Sequence, residues 1–405
     1  MKTNETTPIS QGYKMTSLGV IPQDWEVKRL KNISRVVTGN TPSTSDMANY
    51  GNEYFFVSPV DLSENKYIYN TEKKLSLKGY SLSRQIPAGA VLFTCIGSTI
   101  GKMGITISPL ACNQQINAII CNSDISNEYV YYELSNRAKR IKLLAGEQAV
   151  PIINKSDFEN SKILLPPLSE QQKIAEVLGT WDKAIEMQTQ LIKKLELRKK
   201  GLMQHLLTGK KRLPGFSGEW RKVKLGKLFI ERNEINKAHL PLLSITADRG
   251  VIFQSESDKR DISNDDKSKY KHICPNDIGY NTMRMWQGRC ALSSLEGIVS
   301  PAYTIITPNK DINPYFMEML FKQPFTIYCF WTHSQGLVND TLNCKFPDFS
   351  QIKVTIPNFE EQNAISQFFK GINHEIELCT QKLNSLLQQK KGLMQVLLTG
   401  KKRVI

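Results

Sequence analysis

The sequence lacks most of the signatures that identify a metalloprotein, a common enzyme class or a membrane protein. Its 405 residues include eight cysteines but no Cys-x-x-Cys pair, so neither the usual zinc spacing nor a compact disulfide framework is present. The five histidines form no His-Glu-x-x-His motif, and no Gly-x-Ser-x-Gly nucleophile motif occurs. Residues 1–17 contain no apolar signal-peptide stretch, and no apolar run approaches the roughly 18 residues of a membrane span. We therefore expect a cytoplasmic protein with no catalytic residues, no metal or cofactor of its own and no membrane contact.

Two segments are similar to nucleotide-related motifs, but each lacks an essential residue. Residues 97–103 (GSTIGKM) would form a phosphate-binding loop only with a glycine in place of Ile96 and a hydroxyl residue in place of Met103. Residues 313–316 (NPYF) loosely resemble the Asn-Pro-Pro-aromatic motif of adenine methyltransferases, without its second proline and without a glycine-rich fingerprint before it. We interpret 97–103 as a turn between strands, in which Lys102 can contact a DNA phosphate.

Positive charge, in contrast, is abundant. The chain has 53 Lys and Arg against 38 Asp and Glu, a formal net charge of +15, while 40% of its residues are apolar. The apolar content is typical of a folded protein, and a basic excess of this size favours a polyanionic partner, most often nucleic acid. A solvated basic face without such a partner is the alternative interpretation. The length indicates two or three domains.

One long segment occurs twice and organises the chain. Residues 166–212 read PPLSEQQKIAEVLGTWDKAIEMQTQLIKKLELRKKGLMQHLLTGKKR, and residues 357–403 read PNFEEQNAISQFFKGINHEIELCTQKLNSLLQQKKGLMQVLLTGKKR. Gly209 recurs as Gly400, 191 residues later, and this register holds without a gap. In both copies apolar residues alternate in steps of four and three over about five heptads, the period of a coiled-coil seam. The predicted seam residues are Ile174, Leu178, Trp181, Ile185, Ile192, Leu195, Leu202 and Leu206, with Ile365, Phe369, Ile372, Ile376, Leu383, Leu386, Leu393 and Leu397 in the second copy.

Both copies carry the start and stop signals of a helix. Ser169 and Asn358 are placed as N-caps, each after a proline and three residues before a Gln or Glu, and Gly209 and Gly400 are placed as C-caps. Each helix would run roughly 55 Å at 1.5 Å per residue. Two helices with one seam pattern most simply pack on each other, with polar seam residues at equivalent positions (Gln188 and Cys379, Lys199 and Lys390) helping to fix the register. The alternative, an amphipathic helix in a globular core, does not explain why the segment occurs twice.

The repeat includes the regions between the helices. Trp25 and Trp220 each open a Trp-x4-Leu entry, and short strands broken by turns follow. The predicted strands are 36–37, 55–57, 90–94, 116–120, 242–245, 250–253 and 303–306, and Asn127 and Asn313 each begin a helix late in their region. We predict an α+β fold with two mixed α/β domains separated by two long antiparallel coiled-coil helices, as a pseudo-two-fold internal repeat. The predicted divisions are a flexible N-terminal tail (1–17), domain 1 (18–165), the first spacer helix and linker (166–212), domain 2 (213–356), and the second spacer helix with a C-terminal tail (357–405).

Polar and basic loop residues, interleaved with aromatics, are suited to phosphate and base-edge contacts. The candidate DNA-binding residues are Thr41, Ser43, Arg84, Ser98, Lys102, Gln114 and Gln115 in domain 1, and Arg232, Arg249, Arg284, Trp286, Arg289, Gln335 and Asn339 in domain 2. Arginine suits guanine, whereas Asn and Gln suit adenine, through paired hydrogen bonds. An ordinary surface role is the alternative for each of them.

The chain resembles the specificity subunits of type I restriction–modification enzymes. The residues that carry the resemblance are LLPPLSEQQKIA (164–175), KGLMQHLLTG (200–209) and their second copies, with the entry LGVIPQDW (18–25) and the turn TGNTP (38–42). It covers nearly the whole chain, about residues 18 to 403. One departure is Asn358-Phe359, where the first copy has Pro167-Leu168.

The resemblance implies two target recognition domains, each reading one half of a split double-stranded DNA sequence through the major groove. The helices would set the unspecified spacer and dock two modification subunits that use S-adenosylmethionine to methylate adenine. Separate restriction subunits would cleave DNA with ATP and Mg. This chain would itself be non-catalytic and hold no cofactor. The alternatives are a stand-alone DNA-binding regulator or anti-restriction protein, and a coiled-coil scaffold that does not bind DNA.

Overall fold

The chain forms two compact α+β units linked by two long helices. The computed structural model describes residues 11–62, 65–146, 149–246, 249–257, 261, 263–338 and 341–404. One unit comprises Met1–Thr189 with Lys382–Ile405, and the other comprises Gln190–Gln381. Helix α5 (Leu168–Leu206) and helix α9 (Phe359–Leu397) each contribute residues to both units. The fold class is the one the sequence predicts. Within the described ranges, every helix is too short or too polar to cross a membrane.

The first unit is built around a five-stranded sheet. Its elements are β1 (Tyr13–Thr16), β2 (Gly19–Pro22), β3 (Glu26–Arg29), α1 (Leu30–Ile33), β4 (Ser34–Thr38), β5 (Tyr50–Val57), β6 (Tyr67–Ile68), β7 (Lys73–Leu75), α2 (Leu77–Ser81), β8 (Val91–Thr94), β9 (Met103–Thr106), β10 (Ala111–Cys112), β11 (Ile116–Cys121), α3 (Asn127–Lys142), α4 (Lys155–Glu159) and β12 (Lys162–Leu165). The sheet order is β4-β11-β8-β9-β6, and only the β6–β9 pair is parallel. Smaller sheets are β10-β5-β7, β12-β3 and β1-β2.

Both faces of this sheet are covered, which explains why all four residues of β8 are buried. Alternate side chains of a strand point to opposite faces. Val91 and Phe93 pack with α3 residues such as Val130, whereas Leu92 packs with Ile116 and Leu62 in a separate cluster. The strands predicted in this unit are confirmed.

Part of the predicted N-terminal tail is structured. Residues 1–10 lie outside the described residues, but β1 pairs with β2 in an antiparallel hairpin. The Tyr13 hydroxyl donates to the Gly400 carbonyl oxygen at 3.1 Å. A polar composition alone therefore misassigned this segment, because its partners lie in β2 and at the far end of the chain.

The second unit has the same plan with shorter strands. Its elements are β13 (Arg221–Lys224), β14 (Phe229–Glu231), β15 (Leu243–Ile245), β16 (Val251–Phe253), β17 (Lys271–Ile273), β18 (Ile278–Asn281), β19 (Cys290–Leu292), β20 (Gly297–Val299), β21 (Tyr303–Pro308), α6 (Pro314–Phe321), α7 (Pro324–His333), α8 (Phe346–Gln351) and β22 (Lys353–Ile356). The main sheet, β14-β21-β18-β19, is antiparallel, and β13-β22, β15-β16 and β17-β20 form two-stranded sheets. An aromatic cluster of Phe229, Phe321, Phe330 and Phe349 fills the core beside the helices. The predicted strands and both predicted late helices are confirmed.

Within each unit, α5 and α9 run antiparallel. In the first unit Ile174 and Leu178 pack with Leu393 and Leu397, and in the second Leu206 packs with the start of α9. All sixteen predicted apolar seam residues are buried or half-buried. One polar seam residue has a charged partner in the first unit: the Lys390 ammonium donates to the Asp182 carboxylate.

The helix ends confirm three of the four predicted caps. Asn358 accepts a hydrogen bond from the Glu361 backbone N–H at 3.0 Å, and Gly209 and Gly400 both have φ of +70°, the left-handed conformation of a glycine C-cap. The predicted N-cap at Ser169 is wrong. Helix α5 already begins at Leu168, because the carbonyl of the preceding proline accepts the first helical hydrogen bonds.

The eight cysteines form no disulfide, and all lie in the described part of the chain. Four are buried and four are half-buried. Burial raises the pKa of Cys95, Cys112 and Cys290 to about 12, so these thiols stay protonated and behave as small apolar side chains.

Candidate nucleic-acid interface

A buried glutamate in the first turn of α5 anchors the first unit. Glu170 is 4% exposed. It accepts two hydrogen bonds from the Arg403 guanidinium, at 2.7 and 2.8 Å, and one from the Trp25 indole N–H at 2.9 Å. Asp24 binds the same guanidinium at 2.7 and 3.0 Å, and this arginine lowers the pKa of the Asp24 carboxyl. The tail after α9 is thereby tied to the start of α5.

The second unit repeats this arrangement at equivalent positions. Glu361, 1% exposed, accepts two hydrogen bonds from Arg212 and one from the Trp220 indole N–H at 3.3 Å. We call each set of glutamate, tryptophan and arginine a Glu–Trp–Arg clamp. The glutamate of the duplicated Glu-Gln dipeptide and the arginine of the Gly-Lys-Lys-Arg ending therefore have a structural role.

The glutamine after each clamp glutamate joins the long helix to the recognition region. Gln171 accepts from the Ser126 backbone N–H at 3.0 Å and donates to the Pro166 carbonyl at 2.9 Å. Gln362 does the same with the Asn313 N–H and the Pro357 carbonyl, both at 3.0 Å. Each glutamine therefore holds the N-terminal end of a domain helix, α3 in the first unit and α6 in the second, against the start of the long helix.

In the first unit, the predicted DNA-binding residues lie at one edge of the five-stranded sheet. β4 ends at this edge, opposite the start of β11, and β8 ends there beside the start of β9. The loops that leave this edge carry Thr41 with Ser43, Ser98 with Lys102, and Gln114 with Gln115. Antiparallel register alone brings these three loops together.

Hydrogen bonds order this edge. The Thr41 hydroxyl donates to the Gln114 side-chain oxygen at 2.7 Å, and Arg84 donates to the Thr38 carbonyl at 2.7 Å. Lys102 is exposed and contacts the Pro59 carbonyl at 3.4 Å. The result is an ordered polar surface with cations at its margin, suited to base edges and phosphates. The 97–102 segment forms the predicted turn between β8 and β9.

In the second unit, the corresponding sheet edge opens into a cleft of about 870 Å³. Its lining includes Arg249, Arg289 and Lys269, together with Asn281 at the end of β18 and Tyr303 at the start of β21. Asp261 and Asp266 add negative charge to the rim. Burial raises the pKa of Tyr303, which therefore remains a neutral hydrogen-bonding group.

The remaining candidates of this unit lie in two adjacent segments, with one clear exception. Arg284 and Trp286 belong to the turn between β18 and β19. Gln335 forms two backbone hydrogen bonds with Asn343, and the next residue, Cys344, donates to the carbonyl of Thr282, which lies just after β18. Arg232 does not join them, because its guanidinium donates to Asp277 and to Glu234 at 2.8 and 2.6 Å. Asn339 lies outside the described residues.

Sequence reasoning missed Lys269, Asn281 and Tyr303, which line the cleft with the predicted arginines. Asn281 and Tyr303 are directly paired across β18 and β21. The signal that could have found them is position at a strand end, but the pairing of strands in this unit could not be deduced from one sequence.

These features define a class of protein: a basic, duplicated recognition protein with structural frames that recur and polar loops that differ. Comparison with known proteins gives the family. The family model described as "Type I restriction modification DNA specificity domain" matches residues 22–197. The MjaVIII specificity subunit of Methanocaldococcus jannaschii is 26% identical over 420 residues, 95% of this chain and 94% of that protein. The MjaIX specificity subunit of the same organism is 34% identical over 196 residues, and this match covers 46% of this chain and 45% of the relative.

Solved structures show the same fold. The type I S subunit from M. genitalium has a TM-score of 0.56 at 14% identity, covering 92% of this chain and 96% of that one. A chain from a study of complex assembly and conformational transition in a type I system has a TM-score of 0.60 at 16% identity, covering 94% and 99%. Residues 22–197 thus match the type I specificity domain, and the chain as a whole is similar to type I restriction–modification specificity subunits. Members of this family recognise DNA and are not themselves catalytic.

Proposed function

We propose that each unit of this chain reads one half of a bipartite double-stranded DNA target through the loops at its sheet edge. The observation that supports this most directly is the contrast between the two halves. The Glu–Trp–Arg clamps and their glutamines recur residue for residue, whereas Thr41, Arg84 and Gln114 have no counterparts among Arg249, Arg289 and the other cleft residues. Two units with the same structural clamps but different loop residues are suited to two half-sites of different sequence.

The long helices would set the spacer between the half-sites. Each is 39 residues long and passes from one unit into the other without a break. A helix of regular rise resists changes in length far more than a loop does. In proteins with two reading elements, the separation of those elements determines the separation of the half-sites.

A domain exchange tests the division of labour. Replacing residues 213–356 by the corresponding segment of a family member with another specificity should change one half-site and leave the other half-site and the spacer unchanged. The measurement is the adenine methylation pattern of DNA modified by the assembled complex. A change in both half-sites would contradict the proposal.

A paired deletion tests the spacer separately. Removing residues 188–194 and 379–385, which are equivalent in the 191-residue register, takes one polar and one apolar seam position from each helix. Seven residues correspond to about 10 Å of helix, or up to about three base pairs at 3.4 Å each. We expect a shorter spacer between unchanged half-sites, and altered half-sites would contradict the proposal.

The partners would be those of a complete type I complex. We infer that this chain docks two modification subunits, which bind S-adenosylmethionine, and that restriction subunits supply ATP- and Mg-dependent cleavage. With these partners we expect the protein to act in the cytoplasm, where the DNA is. The comparisons give no support to a stand-alone regulator or anti-restriction protein.

A further inference from the structure

Three potential metal ligands lie on one face of the ribbon formed by β17 and β20. The antiparallel register pairs His272 with Ile298 and Ile273 with Gly297, which places Cys274 opposite Glu296 at the end of the ribbon. Residues at i and i+2 of a strand share a face, and so do directly opposed residues. His272, Cys274 and Glu296 therefore project from the same face, and their ligand atoms all lie within 4.8 Å of one another.

Two of the distances between these atoms are close to those around a tetrahedral ion. Cys274 Sγ lies 3.5 Å from His272 Nε2, and the same Nε2 lies 3.0 Å from Glu296 Oε1. A tetrahedral zinc ion, with bonds of about 2.3 Å to sulfur and about 2.0 Å to nitrogen or oxygen, holds N and S about 3.5 Å apart and N and O about 3.3 Å apart. Cys274 Sγ also lies 3.9 Å from His272 Nδ1, so the sulfur is beside the imidazole ring rather than in front of Nε2. A rotation of the Cys274 side chain and a small shift of the exposed Glu296 side chain would bring the three ligand atoms around one ion.

The other side of the imidazole has the partner that a metal-bound histidine needs. His272 Nδ1 lies 2.8 Å from Glu234 Oε2, and Glu234 is fixed in turn by Arg232 at 2.6 Å. A neutral imidazole has a single N–H, so it can donate to Glu234 or to Glu296 but not to both. If Nδ1–H donates to Glu234, the Nε2 lone pair faces the Glu296 oxygen, and a cation between the two atoms removes that conflict.

The backbone around the cysteine is also fixed. The Cys274 N–H donates to Asp277 Oδ2 at 2.8 Å, and Arg232 donates to the same oxygen at 2.8 Å. Asp277 is 1% exposed, so this turn is anchored in the core of the unit. Arg232, predicted from the sequence to contact DNA, thus orients both Glu234 and the turn that carries Cys274.

We propose that His272 Nε2, Cys274 Sγ and a Glu296 carboxylate oxygen bind one divalent transition-metal ion, with Zn²⁺ as the best match. A thiolate, an imidazole and a carboxylate are all zinc ligands, and the thiolate disfavours the hard cations Mg²⁺ and Ca²⁺. One thiolate and one carboxylate balance the charge of the ion. The half-exposed position leaves the fourth coordination place to water. Cysteine spacing could not reveal this site, because its ligands meet through strand pairing rather than through a Cys-x-x-Cys turn.

The ion would fasten the ribbon at the end opposite the cleft. At its other end the ribbon continues into Lys269 and Tyr270 on one strand and Ser300 on the other, all of which line the cleft. Four residues of strand separate the two ends, about 13 Å. Metal binding would thus hold the ribbon in the register that positions these cleft residues, which is a structural rather than a catalytic role.

The test uses the full untagged chain, stripped with a chelator and titrated with Co²⁺ and then with Zn²⁺. We expect one Co²⁺ per chain, with a thiolate-to-cobalt charge-transfer band in the near ultraviolet and tetrahedral d–d bands in the visible that Zn²⁺ abolishes. Cys274→Ser should lose the charge-transfer band, whereas Cys329→Ser, a half-buried cysteine of the same unit outside the cluster, should keep it. Glu234→Gln should weaken affinity by about 10- to 100-fold, the usual effect of losing a partner of a metal-bound histidine.

Two results of the cobalt titration would overturn the proposal. One is a wild-type chain that binds Co²⁺ without a thiolate band; the other is a Cys274→Ser variant, folded by circular dichroism, that binds as the wild type does. Thermal melting gives an independent readout, because a ligand that binds only the folded state raises the melting temperature. Zn²⁺ should raise it for the wild type and for Cys329→Ser but not for Cys274→Ser, and equal shifts in all three would also count against the site.

Discussion

Removing Arg212 should loosen the start of α9 and leave the first unit intact. Glu361 is 1% exposed and its only other side-chain donor among the described contacts is the Trp220 indole, at 3.3 Å. The substitution Arg212→Ala therefore leaves a buried carboxylate without its cation. Breaking a buried pair in this way costs about 3–5 kcal/mol. We expect about 3 kcal/mol, because the Arg212 side chain is 24% exposed and its loss lets some water reach the glutamate.

Hydrogen exchange measured by mass spectrometry reports this change locally. A loss of about 3 kcal/mol in the free energy of local opening speeds exchange of protected amides by roughly a hundredfold. The affected peptides should cover the first turns of α9 and strands β13 and β22, which pair beside the clamp. Peptides from β8 and β11 should exchange at the wild-type rate.

The duplicated frame supplies a matched control. Arg403→Ala removes the equivalent arginine from Glu170, so faster exchange should appear in the first turns of α5 and not in those of α9. Adding Glu361→Gln to Arg212→Ala should recover much of the loss, because a neutral amide needs no cation. Less than a threefold change in α9, or a change of equal size in both units, would refute the role given to the clamp.

Three further predictions concern titration and DNA contact. Burial raises the pKa of Glu133 from its ordinary 4.5 to about 7, so between these pH values the folded state holds a proton that the unfolded state has released. The free energy of unfolding should therefore fall as pH rises from about 4.5 to about 7. Chemical denaturation should show a weaker dependence of this free energy on pH for Glu133→Gln. The hydrogen bonds from Arg403 lower the pKa of Asp24 in the folded state. The stability that this pair contributes is present above the pKa of Asp24 in the unfolded state and is lost as pH falls through its pKa in the folded state. Asp24→Asn should therefore lose less of its free energy of unfolding than the wild type does below about pH 4. Arg289→Ala should weaken binding to DNA carrying both half-sites by about 1–3 kcal/mol. Single-base changes in one half-site should then reduce the affinity of the variant less than they reduce that of the wild type. An unchanged Kd and base preference would show that Arg289 does not contact the DNA.

The sequence predicted those parts of the molecule that depend on neighbouring residues. The seam period determined both long helices, and glycines after the last turn located their C-terminal ends, because helical hydrogen bonds and left-handed caps are local. The predicted N-cap at Ser169 was wrong because the capping-box pattern considers side chains only. Helix α5 is started instead by a backbone carbonyl, that of Pro167.

Contacts between distant parts of the chain could not be deduced in this way. Glu170 contacts Trp25 and Arg403, which are 145 and 233 residues away in the sequence. The repeated Glu-Gln and Gly-Lys-Lys-Arg motifs could therefore be recognised in the sequence, but their contacts with each other could not. The His272–Cys274–Glu296 cluster depends on the register of two short strands. Arg232 was assigned to DNA on residue type alone, and only the structure shows the two carboxylates that hold it.

The central claim is that the two units read separate halves of one target. Its most direct test is a methylation map of DNA from cells that express this chain with its modification subunit. The account predicts methylated adenines in one two-part motif with a gap of fixed length. Methylation at a single contiguous site, or none with a modification subunit of demonstrated activity, would contradict it.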